Sequence, residues 1–207
     1  SESDGAPSWE EVLREFGAAL RKYPDIDSVT LAGNSEPCAH PDFFRVVREI
    51  RKVKYAARAR WVFNVLSNGS ELDKEDVVRG CDLLDEAWIK LDCGTDEFFR
   101  RFNHPLSSIG GVQEHLARIR KLKAPRLQSL FWMSPDTHAT ASNWSSTNRN
   151  ALLDCYRAVR PIAVHLTTVS REPAWAGATP VPPAELEEFG AQVRSEGFDA
   201  RVFPAES

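Results

Sequence analysis

Apolar and polar positions along this chain switch period repeatedly, and each switch marks an element. In SWEEVLREFGAALRKY, residues 8–23, Val12, Phe16, Ala19 and Leu20 recur at three-to-four spacing. That spacing predicts an amphipathic helix, with Ser8 as its N-cap ahead of Glu10 and Glu11. IDSVTLAG is a short β-branched run closed by Gly33, and HPDFFRVVREIRKVKYAA opens a second helix at Pro41 with Phe44, Val47 and Ile50 on one face. The alternation continues: strand WVFNVLSNG, helix DKEDVVRGCDLLD, strand EAWIKLDCG, then a helical turn in TDEFFRRFNHP capped by Thr95. After these come helix IGGVQEHLARIRKLK, strand RLQSLFWMS, helix NRNALLDCYRAVRP, strand IAVHLTTVS, helix AELEEFGAQVRSEG and a short edge strand in FDARVFP.

Strands that read as near-continuous apolar runs between helices predict an α/β fold with parallel strands buried on both faces. The 207 residues are expected to form one domain. The Ser/Thr/Asn-rich stretch 135–148 and the Pro-rich stretch 171–183 read as loops. The longest loops follow strands, which puts the exposed machinery at the strands' C-terminal ends, where parallel-sheet proteins bind ligands.

Polar residues collect at those ends. The first strand delivers Gly33, Asn34, Ser35 and Glu36; the second Ser67, Asn68 and Gly69; the third Lys90, Asp92 and Gly94; the fifth His165, Thr167 and Thr168. A small ligand bearing an amine, a carboxylate and hydroxyls suits such a rim. Glu36 can accept from an ammonium, backbone N–H groups of the Gly33 turn can hold a carboxylate, and Asn68 or Asp92 can bond a ribose. Each residue also has a plainer reading. Asn68-Gly69 is turn chemistry, Lys90 and Asp92 share a strand face as an ion pair would, and His165 suits a core position.

Composition narrows the classes. A formal charge of −4 gives no basic footprint for nucleic acid, and no stretch reaches the length of a membrane span. The acidic start SESDGAPSWEE is not a secretory signal, so a cytoplasmic protein is expected, and the NGS and NWS triplets at Asn68 and Asn143 carry little weight as glycosylation sites. Cys38, Cys81, Cys93 and Cys155 stand far apart, without a Cys-x-x-Cys pair.

Four strings, DSVTLAGNSEPCAHPDF, VLSNGSEL, IKLDCGTDEFFRRFNHP and TVSREPAWAG…VPPAELEEFGAQVR, together resemble radical S-adenosylmethionine (radical SAM) enzymes. The matching branch carries GxGEPTLHPDF-like, LTNG-like and LDAG…FRRINRP-like segments, and the resemblance runs in order from about residue 8 to 203. It implies a partial (β/α)6 barrel. It also implies that Glu36, with Gly33, Asn34 and Ser35, holds the methionine end of S-adenosylmethionine, and that Asn68, and Lys90 or Asp92, contact its ribose or carboxylate. A 4Fe–4S cluster, a small-molecule or peptide substrate and an electron donor are implied too, with reductive cleavage to a 5′-deoxyadenosyl radical as the reaction.

The sequence departs from that pattern in two places. No CxxxCxxC loop is present, and the first strand of the barrel is expected to be missing with it; Ser35 stands where the turn usually has its second glycine. Three readings stay open: the core of a longer enzyme whose cluster segment lies elsewhere, a relative retained as a non-catalytic binding module, or another α/β enzyme.

Overall fold

A computed structural model describes residues 6–32, 35–103, 109–134, 142–170 and 177–205. Six strands and seven helices alternate among them, and the paired strands are parallel, so the fold is α/β. The chain divides into two compact units, Ser1–Trp88 and Ile89–Ser207.

The first unit begins with α1 (Trp9–Lys22), whose capping box is complete: Ser8 Oγ accepts from Glu11 N–H at 3.3 Å and Glu11 Oε2 accepts from Ser8 N–H at 2.8 Å. Val12, Phe16 and Leu20 lie along its inner face but stay half-buried, with the Phe16 ring edge-on to Trp61 at 6.0 Å. Strand β1 (Ser28–Leu31) pairs with β2 (Val62–Ser67), Val29 opposite Phe63 and Leu31 opposite Val65. Helix α2 (Phe43–Ala56) buries Phe43, Val46, Val47 and Ile50, while the predicted Phe44 is half-buried with the Arg79 guanidinium over its ring. Helix α3 (Glu75–Cys81) packs against α2, and β3 (Glu86–Lys90) starts where Asp85 N–H bonds the Phe63 carbonyl at 2.9 Å.

The second unit takes over within β3. Leu91 N–H bonds the Gln128 carbonyl of β4 (Arg126–Phe131) at 2.8 Å. The Thr95-capped turn is α4 (Asp96–Phe98), which runs into a π-helical turn, Phe99–Asn103. Helices α5 (Val112–Ile119), α6 (Ser146–Val159) and α7 (Pro183–Ser195) alternate with β4, β5 (Ala163–Thr168) and β6 (Ala200–Phe203), and β5 pairs with both of its neighbours. Leu127, Phe131, Leu152, Tyr156, Leu166, Leu186 and Val193 form the core between strands and helices. Ser145 starts α6 earlier than the apolar period indicates, because its Oγ accepts from Asn148 N–H at 3.1 Å.

One expectation needs correction. The strands are not buried on both faces: β2, β4 and β5 alternate between buried and half-buried positions, and β1 between half-buried and exposed ones. Helices cover one face, as where Gly190 of α7 sits so near Val202 that a Cβ would come within 2.4 Å of its side chain. The apolar runs conceal this because Leu130 and Ala163 sit on the less buried side.

Candidate functional site

In the first unit the Glu36 carboxylate ties two turns together. Glu36 caps the 3-10 turn Pro37–Ala39 from an extended conformation, and its Oε1 accepts from Cys38 N–H at 3.0 Å. The same oxygen accepts from Ser67 Oγ–H at 2.6 Å, and Oε2 accepts from Asn68 N–H at 2.7 Å. Two residues of the β2 exit, 31 and 32 positions along the chain, thus meet the turn that follows β1. The β2 turn is itself stapled: Ser67 Oγ accepts from Gly69 N–H at 3.0 Å and Asn68 Oδ1 from Ser70 N–H at 2.8 Å. Gly69 has φ 74°, a left-handed conformation that favours glycine.

A carboxylate offers about four lone-pair positions, and these three donors leave one, on Oε2. Glu36 and Asn68 are therefore brought together, but through the Asn68 main chain, while its side chain serves the turn. Ser35 is exposed; Gly33 and Asn34 lie outside the described residues. A concavity of about 510 Å³ also opens in this unit, between the starts of α2 and α3, and Glu36 and Asn68 are not among its walls.

In the second unit Lys90 and Asp92 are brought together. Lys90 Nζ lies 3.1 Å from Asp92 Oδ2, with the Asp92 side chain 7% exposed and that of Lys90 33%. Asp92 Oδ1 accepts from Leu130 N–H at 2.8 Å, so the carboxylate bridges β3 to β4. The Asp92 charge holds the Lys90 ammonium above its ordinary pKa, against the opposing effect of burial. The main-chain carbonyl of Asp92 accepts from Nδ2 of both Asn143 and Asn148, each at 3.1 Å. Asn143 is fully buried, its Oδ1 accepting from Trp132 N–H at 2.9 Å, so this NWS triplet is a framework element. Sequence reading missed both asparagines; the one signal was the density of Ser, Thr and Asn just before α6. Thr168 is also structural, donating to the Phe131 carbonyl at 2.9 Å and accepting from Val181 N–H at 2.8 Å. His165 is half-buried beside the Phe203 ring.

His115 of α5 was also missed. It is buried, its Nε2 lies 3.1 Å from the Lys90 carbonyl, its Nδ1 has no partner among the described residues, and burial lowers its pKa. A histidine with a depressed folded pKa binds its proton more readily in the unfolded chain. Stability is therefore expected to be full above the unfolded value of about 6.5 and to fall below it, by up to about 1.4 kcal/mol per pH unit. Urea denaturation from pH 7.5 to 5 checks this: His115→Gln flattens that part of the profile, and profiles that stay parallel would exclude His115 as the cause.

The cysteines do not fit an iron–sulfur centre. Cys38 and Cys81 belong to the first unit; Cys93 and Cys155 belong to the second, and Cys155 Sγ lies 3.8 Å from the Gly94 carbonyl. All four are buried, and burial pushes the Cys93 thiol up and that of Cys155 to about 12, whereas cluster ligation needs convergent thiolates. Among the described residues no helix is long and apolar enough to cross a membrane.

No family model matches the chain. A 102-residue stretch is 26% identical to the GTPase Obg of Brachyspira hyodysenteriae, covering 49% of this chain and 14% of that protein. Solved structures agree over far more of the chain. Streptococcus suis SuiB bound to S-adenosylmethionine superposes with a TM-score of 0.65 at 13% identity over 98% of this chain, and SuiB bound to its precursor peptide SuiA with 0.66. A domain of pyruvate-formate lyase-activating enzyme from Bacteroides vulgatus gives 0.59 at 14% identity, over 86% of this chain and 99% of that domain. The chain spans 45% of the S-adenosylmethionine-bound SuiB chain. At these identities the likeness is one of fold alone, the α/β fold of parallel strands and helices described above.

Proposed function

We propose that this chain is the S-adenosylmethionine-binding part of a radical SAM-type enzyme, with the cluster ligands supplied by polypeptide outside this sequence. The observation that carries the reading is the Glu36 carboxylate, fixed by three donors from two turns and left with one acceptor position. An ammonium fits that position as a charge-assisted fourth donor. The fold supports the reading, since one solved structure that shares it holds S-adenosylmethionine.

Around the ammonium, Gly33, Asn34 and Ser35 are assigned to the ligand's carboxylate, and the Asn68 turn would set the angle of Glu36. In the second unit, Lys90 is the partly exposed cation of a buried pair, and Asp92 holds it in place. We assign Lys90 to anion contact and Asp92 to positioning. The cysteines present derive no chemistry here; binding and orienting the ligand is the work of this chain's own residues.

Titration calorimetry with S-adenosylmethionine tests the proposal. The chain should bind with a 1:1 stoichiometry, and Glu36→Gln should weaken binding by about 1.5–3 kcal/mol, the range for a hydrogen bond to a charged group. Melting curves of the same variant separate ligand loss from loosening of the turns. Equal affinity in a folded Glu36→Gln variant would remove Glu36 from the site, and no binding by the parent chain would end the assignment.

The second reading, a non-catalytic module, is favoured by the four cysteines, none of which is placed to hold a cluster. Anaerobic reconstitution of the full-length gene product with iron and sulfide decides between them. Broad visible absorbance from thiolate-bound iron supports the enzyme, and its absence the module.

A further inference from the structure

The second unit holds a small cavity whose walls include none of Glu36, Lys90 and Asp92. It has a volume of about 110 Å³ and lies between the first turn of α6 and one face of α7, lined by Trp144, Arg149, Glu185, Glu188, Phe189 and Gln192. The four α7 residues recur at three-to-four spacing, which puts them on that one face.

The aromatic wall is fixed in place. The Trp144 ring stands edge-on to Phe131 at 5.2 Å and to Phe189 at 5.9 Å, and its Nε1–H donates to Glu185 Oε2 at 3.0 Å. Arg149 lays its guanidinium over the same ring, 4.2 Å from the centroid. Such stacking engages the face of a guanidinium and leaves the N–H groups on its edge able to donate.

The charges around the cavity stand apart. Further along the same two helices, opposite charges within reach are joined: Arg157 pairs with Asp154 and Glu196, and Arg194 with Glu187. Among the described residues, Arg149 forms no ion pair with Glu185 or Glu188, although all three line one space, and the Glu188 carboxylate accepts no hydrogen bond. A bare anion entering there would meet the two carboxylates, and a bare cation would meet Arg149. A molecule that carries both charges meets a partner for each.

We propose that this cavity binds a small zwitterionic amino acid of the size of glycine or alanine. The edge of the Arg149 guanidinium holds its carboxylate, Glu188 and the second oxygen of Glu185 hold its ammonium, and its short body lies against Trp144 and Phe189. Gln192 adds an amide that both donates and accepts. Volume sets the limit on size: a cavity of about 150 Å³ takes benzene, so this one takes a molecule of about five or six non-hydrogen atoms. The site stands independently of S-adenosylmethionine binding at Glu36.

Nuclear magnetic resonance of the isotopically labelled chain tests it with glycine as the probe at pH 6, where both ends of glycine are charged. Saturable shifts at the Arg149 Nε–H, the Trp144 indole N–H and the Gln192 side chain are the expected result. Acetate and methylamine, each with one of the two charges, should bind at least tenfold more weakly, and so should the bulkier valine. Glu188 is exposed, so Glu188→Gln should fold as the parent does and weaken glycine at least tenfold. Arg149→Gln, with its folding checked by a melting curve, should do the same. Glu36→Gln should leave glycine binding unchanged even if it abolishes S-adenosylmethionine binding.

Unchanged glycine affinity in Glu188→Gln, acetate or methylamine binding as tightly as glycine, or shifts that never saturate would overturn the proposal. Valine binding as tightly as glycine would overturn the assignment to the smallest amino acids.

Discussion

Asparagine in place of Asp92 is expected to lower the unfolding free energy by about 3–5 kcal/mol, the range for removing one partner of a buried ion pair. The variant leaves the partly buried Lys90 ammonium without its counter-charge, 3.1 Å from where the carboxylate oxygen was. It also sets an amide at the position that Leu130 N–H now donates to, and half of its orientations present NH₂ to that donor. The pair as a whole is a different matter. Replacing both members with residues of similar shape, as in Lys90→Met with Asp92→Leu, should recover much of the loss, because desolvation of both charges is then avoided.

A double-mutant cycle in urea at pH 7 measures this, and purely additive losses would show that the two side chains do not stabilise one another. The sign with pH follows from Lys90. Its pKa is raised in the folded chain, so the stabilisation is complete below the unfolded value of about 10.4 and disappears as pH climbs through the folded one. Alkaline titration should therefore destabilise the parent chain more steeply than Asp92→Asn, in which the raised pKa is gone.

How far the sequence anticipates the molecule depends on how local each signal is. Ser8 and Thr95 are caps whose partners lie three residues away, and both were legible. The short edge strand expected in FDARVFP is β6, which pairs with β5 in parallel. The four radical SAM-like strings are local too, and the one at 89–105 holds a strand end, a turn and a helix start in one run. They pointed to a fold that whole-chain identity of 13% would scarcely reveal.

Partnerships across distance were not legible. Nothing near Glu36 announces that Ser67 and Asn68 will claim its oxygens, and nothing near Asp92 announces Asn143, 51 positions on. The number of faces a strand buries is equally hidden. Leu and Ala read as core residues whichever side they occupy, so RLQSLF passes for an apolar run although Gln128 and Arg126 mark a less buried face. The π-helical turn Phe99–Asn103 had no signal, because FRRFN fits an α-helical period as well.

Alanine at Gly94 is expected to destabilise the chain by about 3 kcal/mol, the upper end for overpacking, and to disturb the Asp92 bridge with it. The reason is backbone against backbone. A Cβ at Gly94 would come within 2.5 Å of both the Ala151 carbonyl carbon and the Leu152 nitrogen in α6, and no side-chain rotation relieves either contact. Gly94 N–H also donates to Asn148 Oδ1 at 2.8 Å, while Asn148 Nδ2 donates to the Asp92 carbonyl at 3.1 Å. Moving the turn away from α6 therefore pulls on the asparagine that positions Asp92. Gly177 is the natural comparison, since open space surrounds its Cβ position, and there only the positive φ of 86° opposes a side chain. Chemical denaturation of Gly94→Ala and Gly177→Ala in parallel separates crowding from backbone strain. A loss at Gly94 no greater than at Gly177 would mean that α6 shifts freely, and the close approach of the β3 exit to that helix would not be what holds Asp92 in register.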